Sequence, residues 1–367
     1  MFRRTTFAVL ILLLCVSSYP QVSYLNRPNL LAQVDSCLQH TYNFSFFRAR
    51  EIQEDLLNLT PTHPAPLFLE ALIVYWENFP LLPKDKASEK FVDLMNRVIH
   101  MAEGYIDKED LHLEGVFFDL FGRAFKAMYW ADNGKAGKLV PDLRTMYKHT
   151  REGMELKDQF SEFYFSTGLY NYYIEAYPEA HPVYKPMLSF MKKGDKTLGL
   201  KQLNLAISHS IFLKVESMLF MSLIQLNYED DLNTASIYAD RLNRDYPHNI
   251  YYQGHLVTIL LHQHRYKQVN QVLESMRLQN DTYSSMIRLM ANAFMAEKKD
   301  GDSRQAGIDY RKTIELADSF GSFANQFKAI AFMGLSRLHN KKDLPGEARR
   351  YARKASSLTA YKFILEE

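Results

Sequence analysis

The sequence predicts an all-α chain folded as a stack of helical hairpins, preceded by a cleavable signal peptide. Three observations carry the fold class. Apolar residues recur at i, i+3, i+4 and i+7 through nearly every segment, which is the helical period. No stretch alternates as a half-buried strand would. A similar series of small and large apolar residues returns about every 34–37 residues.

At the N-terminus, Met1–Arg4 is short and positive, Phe7–Val16 is an apolar run, and small residues come next at Ser17 and Ser18. That order is the order of a secretory signal, so residues 1–18 are expected to be removed on export. The run is about half of the roughly 20 residues that span a bilayer. Cys15, in Leu12-Leu13-Leu14-Cys15, loosely resembles a bacterial lipobox and offers a lipid anchor as the alternative. The expected location is periplasmic or secreted, with membrane attachment only if Cys15 is lipidated.

After residue 18 the helical period runs on with short interruptions. Breaks are expected at Thr60-Pro61, Pro80, Gly104, Asn133-Gly134, Pro178, Gly194-Asp195, Asp245-Tyr246-Pro247, Asp300-Gly301 and Leu344-Pro345-Gly346. Ser and Asp residues ahead of the apolar runs suit helix N-caps. About sixteen consecutive helices result. Val257, Leu260, Leu261 and His264 mark one apolar stripe, and Leu335 and Leu338 belong to another. The mature chain divides into N-terminal hairpins with long helices (19–160) and C-terminal repeats with a capping helix (161–367).

The repeat is clearest in the second half. Ala235, Ala239, Leu242 and Pro247 form a series that Val269, Leu273 and Met276 repeat 34 residues on. Gly199, Leu203 and Ala206 precede it, and Ala306 and Tyr310 come after it. A last copy has Gly334 in one helix and Ala348, Ala352 and Ala355 in the next. Ala49, Gln53, Leu56 and Pro61 stand at matching offsets near the N-terminus. Small residues let helices approach, large ones fill between them, and each hairpin buries its face only against neighbours. This series resembles the tetratricopeptide repeat family. Phe163–Tyr173, the prolines Pro178, Pro182 and Pro186, and Gly194-Asp195-Lys196 are similar to a group of exported bacterial proteins of that kind. No unit carries the full signature with Trp, and the spacing widens to 42 between Ala306 and Ala348. The resemblance implies an α-solenoid that binds protein or peptide in a concave groove, and it implies no chemistry.

Composition narrows the function. The 44 Lys and Arg nearly balance 42 Asp and Glu, so no basic footprint for nucleic acid exists. Two cysteines exclude a disulfide scaffold and a four-thiolate zinc site. Without Cys15, only Cys37 is left, on an apolar helix face where a packed thiol is expected. Charge is segregated: residues 51–120 hold 14 acids and 5 bases, whereas 301–367 carry a net +4.

The chain has no H-E-x-x-H, G-x-S-x-G, G-x-G-x-x-G or phosphate-loop motif. Glu109 and His112 form a single E-x-x-H pair, where a di-iron bundle needs two such pairs. His255, His262 and His264 cluster without nearby acid or thiol partners, so groove-lining or surface histidines are expected rather than zinc ligands. No enzyme activity, metal or cofactor is expected. Aromatic residues are abundant, with 23 Tyr and 24 Phe. Tyr164, Tyr170, Tyr172 and Tyr173 cover more than one helix face, and Trp76 and Trp130 each come directly after a Tyr. These six are the candidate partner-binding residues, because Tyr and Trp combine contact area with a polar tip. Arg349, Arg350, Arg353 and Lys354 form a basic rim on the last repeat helix. The expected function is a non-catalytic cell-envelope scaffold that binds a protein or extended peptide. The alternative is a small-ligand or glycan binder using aromatic platforms, which would require a compact pocket joining Tyr or Trp to a carboxylate.

Overall fold

A computed structural model describes residues 23–276 and 281–367. The segment expected to be a signal peptide, with Cys15, lies outside the described residues. Among the described residues the chain is all-helical, without a strand. Helix α1 (Pro28–Tyr42) pairs with α2 (Phe46–Leu59), α3 (Pro64–Glu77) with α4 (Lys86–Ile106), and α5 (His112–Asp132) with α6 (Val140–Leu156). Next, α7 (Phe163–Ala180) packs on α9 (Lys196–His209), with the four-residue α8 (Lys185–Leu188) between them. The later hairpins are α10 (Lys214–Asn227) with α11 (Leu232–Asp245), and α12 (Ile250–His262) with α13 (Tyr266–Met276). Then come α14 (Thr282–Met295) with α15 (Ser303–Asp318), and α16 (Asn325–Asn340) with α17 (Pro345–Ser356). The short α18 (Lys362–Leu365) folds back on α16 and α10. No described helix is long and apolar enough to cross a membrane.

Local chemistry sets the helix starts. Asp195, Asp231 and Asp281 each accept a hydrogen bond from the backbone N–H three residues on, at 2.9, 2.9 and 2.8 Å. Asn249 and Asp302 cap α12 and α15 in the same manner. Each satisfies donors that the first helical turn leaves free. Two expected breaks are absent. Gly104 lies inside α4, which continues to Ile106, because a single glycine weakens a helix without ending it. Pro178 lies in the last turn of α7, where its missing N–H forfeits one intrahelical bond and the helix still reaches Ala180. His264 leaves its expected stripe: α12 stops at His262, and His264 sits exposed in the turn at φ +56°.

The repeated series occupies the helix crossings. Ala235, Ala239, Leu242, Val269 and Met276 are fully buried, as are Leu203, Ala206, Ala306 and Tyr310. Ala49, Leu56, Ala348 and Ala355 behave alike, whereas Ala352 is part-exposed. Cys37 is a buried free thiol whose Sγ donates to the Ala49 carbonyl at 3.4 Å, and burial pushes its pKa up to about 12. Where α7 crosses α9 the backbones nearly touch. A Cβ on Gly199 would lie 2.7 Å from the Tyr172 nitrogen and 2.8 Å from the Gly168 carbonyl oxygen. Neither atom can move without moving a helix. Gly199→Ala is therefore expected to cost about 1–3 kcal/mol, read as a lower urea midpoint. An unchanged midpoint would mean that the two helices do not meet there.

The stack does not stay open. In an open array each hairpin meets only its neighbours. Here the end of α1 reaches α10 and the α11–α12 turn. The Tyr42 hydroxyl donates to Glu216, and the Tyr42 carbonyl accepts from Asn249 Nδ2 at 2.9 Å. Phe79, just past α3, sits edge-on to Tyr251, Tyr283 and Phe323, each at 5.3 Å between ring centres. The early hairpins thus bend round against the late ones, and the concave side becomes a chamber.

Candidate functional site

The first helices of successive hairpins face inward. Helices α3, α5, α7, α10, α12, α14 and α16 all contribute to a cavity of about 760 Å³. That volume lies within the range of ligand pockets, about 300–1,000 Å³. Two aromatic groups form its walls. On one side, Trp76 stacks on Phe79 at 5.4 Å, and Tyr251, Tyr283 and Phe323 surround Phe79. On the other, Tyr173 meets Tyr228 at 5.4 Å and Tyr228 meets Tyr361 at 6.3 Å.

Between the two groups stands Asp132, the last residue of α5. Its charge bears on Tyr75, Tyr251 and Tyr361 and helps to raise the pKa of each hydroxyl. The carboxyl itself makes no hydrogen bond or ion pair among the described residues. Burial pushes its pKa from 3.8 up to about 7. A helix C-terminus also disfavours a carboxylate, because the helix dipole is negative there. Asp132 is thus held in an unfavourable place by the surrounding fold. Among the described residues that line the chamber, none is Lys or Arg.

Three of the other polar groups in the wall bear on its chemistry. Asn227 Oδ1 and the Tyr283 hydroxyl are buried without a hydrogen-bond partner. A buried polar atom left unpaired costs about 1–3 kcal/mol, so both mark strain in the chamber wall. The third, His255, contacts Ser222 at 2.8 Å through Nε2, and Ser222 donates its own proton to the Ala235 carbonyl at 2.8 Å. Burial lowers the His255 pKa to about 4. Ser222 is fully buried and bonds both the Ala235 carbonyl and His255, so the pair braces α10 against α11 and α12.

Of the residues singled out in the sequence, Trp76 and Tyr173 line the chamber. Tyr172, next to Tyr173 on α7, is turned into the hairpin, and its hydroxyl donates to Glu229. Tyr164 donates to Asp158 at 2.5 Å, and Tyr170 donates to the Lys192 carbonyl at 2.5 Å; neither is a chamber residue. Trp130 lies outside too, with the Lys138 ammonium 4.0 Å above its ring. The basic residues of α17 are exposed and form no part of the chamber wall. Arg350 pairs with Glu347 at 3.0 Å, and Lys354 stands 5.3 Å above the Phe332 ring; Arg349 and Arg353 face solvent. Glu109 is exposed, while His112 bonds the Ile106 carbonyl at 2.6 Å and Glu152 at 2.9 Å. Of the clustered histidines, His255 lines the chamber, His262 is buried against Phe294 and Phe363, and His264 meets Tyr266. Among the described residues, no three His, Cys, Asp or Glu side chains converge as metal ligands would.

Asp132 escaped the sequence reading because Asp132-Asn133-Gly134 reads as a turn. The signal that could have found it was an acid in the last turn of a long aromatic helix, where a base is favoured. Neither a protein-family model nor a curated protein matches this chain.

Proposed function

We propose that this protein is a non-catalytic, exported binding protein, built from hairpins like those of tetratricopeptide repeats, that holds a ligand in its concave chamber. The observation that carries the reading is the joining of two aromatic walls to one unpartnered carboxyl within a cavity of ligand size. Closure of the stack favours a compact ligand, or one end of a larger one, over an extended peptide. An extended peptide needs a groove open along several hairpins, and Phe79 crosses that path to Tyr283 and Phe323. Binding is preferred to catalysis because Ser222 and His255 are committed to each other and to the backbone.

The test uses the two tryptophans. Trp76 lines the chamber and Trp130 does not, so Trp130→Phe leaves a single chamber reporter. Titration of this variant with a library of glycans, amines and short peptides is expected to shift the Trp76 emission for at least one class. Tyr251→Ala, which removes a ring beside Trp76, is expected to weaken that ligand about tenfold or more. If no member of the library moves Trp76 while crosslinks to a partner protein map to the outer helices, the chamber reading fails and the scaffold reading replaces it.

A further inference from the structure

We infer that the chamber is built for an organic ammonium group, held by Asp132 between the faces of the surrounding tyrosines. The inference rests on the reading of the chamber as a ligand site and adds the charge of the ligand. Three observations lead to it. The chamber carries one acidic side chain and no basic one among its described lining residues. That acid has no hydrogen-bond or ion-pair partner among the described residues, whereas Glu162 takes three backbone N–H groups and Glu297 takes an arginine. Aromatic rings make up much of the rest of the wall, with aliphatic and neutral polar residues between them. Ring faces attract a cation through their quadrupole, and do so more strongly where water is excluded. Trp76, Tyr251 and Tyr361 supply such rings. Among the described residues, no Lys or Arg lines the chamber to neutralise an anion or a phosphate. A free amine and a lysine or amino terminus of a peptide share this chemistry.

The inference also has a pH signature. The hydroxyls of Tyr75, Tyr173, Tyr228, Tyr251, Tyr283 and Tyr361 are all pushed above their ordinary value and stay neutral near pH 7. His255, pushed down to about 4, stays neutral above pH 5. Asp132 is then the wall group that titrates between pH 5 and 8, around its value of about 7. Its ionised form is the one that binds a cation. Affinity should therefore rise from pH 5 to pH 8 and level off above it.

Calorimetry on the mature chain tests this with matched pairs. One pair is choline and its uncharged isostere 3,3-dimethylbutan-1-ol. The second is the acetyl-Ala-Lys-Ala-amide peptide and its Nε-acetylated form. The cationic member of at least one pair is expected to bind about tenfold or more tighter than its neutral twin. Which pair responds separates a free amine from a lysine-bearing ligand. Asp132→Asn, which keeps the side-chain shape, is expected to erase the preference. Lowering the pH from 8 to 5 is expected to weaken the cationic member by about a hundredfold at most, as the ionised fraction falls. Equal binding of cation and isostere, unchanged in Asp132→Asn, overturns the charge assignment and leaves the chamber as a neutral ligand site. Failure of all four probes, with Trp76 still responding to a glycan, does the same. If Trp76 responds to nothing, the chamber reading falls and this inference falls with it.

Discussion

Glu162→Ala is expected to cost the fold about 3–5 kcal/mol, because it strips three backbone donors, two of them buried, of their acceptor at once. Glu162 stands at the start of α7 and is almost fully buried. Its Oε1 accepts from the Ile211 and Phe212 N–H groups at 2.6 and 2.9 Å, and its Oε2 accepts from the Leu213 N–H at 3.0 Å. These three donors lead into α10 and have no helical partner of their own. Around them lie the rings of Phe117, Phe160, Phe163 and Phe212. Alanine would leave the Phe212 and Leu213 N–H groups buried without an acceptor and the Ile211 N–H part-buried. Urea unfolding monitored by circular dichroism measures the loss. Glu162→Gln keeps one acceptor oxygen and should cost less than half as much. A midpoint for Glu162→Ala within error of the parent would mean that the α9–α10 turn is not held by this carboxyl.

The pH dependence of that contact carries a sign. Burial raises the Glu162 pKa from 4.5 to about 7 against the pull of its three donors. Between those values the folded state binds more protons than the unfolded one, so this group's contribution is full below about 4.5 and falls as the pH rises to 7. Glu162→Gln lacks the dependence. The gap between parent and Gln variant should therefore be wider at pH 5 than at pH 8.

Arg337→Met should destabilise by a similar amount, about 3–5 kcal/mol, for the opposite electrical reason. Glu297 lies in the π-helical turn Ala296–Asp300 that comes after α14, and it is buried. Arg337 on α16 grips both of its oxygens, through Nε and Nη2 at 2.9 Å each, and Tyr310 on α15 donates to it at 2.8 Å. One carboxylate thus ties three consecutive elements. Without the guanidinium it becomes a buried charge with a single hydroxyl partner. The double variant Glu297→Met/Arg337→Met removes the stranded charge and should regain much of the loss. A double variant no better than Arg337→Met alone would show that packing, not charge, explains the first result.

Much of the hairpin order was legible in sequence, and for a local reason. Ala235, Ala239, Ala306 and Gly199 recur because each sits where two helix backbones cross, and a crossing limits side-chain size wherever it occurs. Asp195, at an expected break, caps α9 for an equally local reason, since a cap acts within three residues. Gly104 and Pro178 misled because a helix end depends on the residues beyond it as much as on one unfavourable residue. The chamber was not legible. Trp76 and Tyr173 stood out only as aromatics, beside Tyr164, Tyr170, Tyr172 and Trp130, which point elsewhere. α7 is aromatic on several faces, so its periodicity cannot say which face turns inward. The contacts that decide it join Tyr42 to Glu216 and Phe79 to Phe323, and no local pattern encodes pairs so far apart.

The bond from Asn249 to Tyr42 spans 207 residues of chain. During synthesis the first hairpins must therefore wait, with Trp76 and Phe79 uncovered, until α12, α14 and the Gly321–Ala324 turn have been made. A linear array loses one hairpin and keeps the rest, but a clipped form of this chain would lose part of its chamber wall and expose the aromatic remainder. The proposed binding surface and the adhesive surface of the unfinished protein are one and the same. As the exported protein proposed above, the chain would gain from crossing the membrane before it folds, or from a chaperone that shields those rings until the late hairpins cover them.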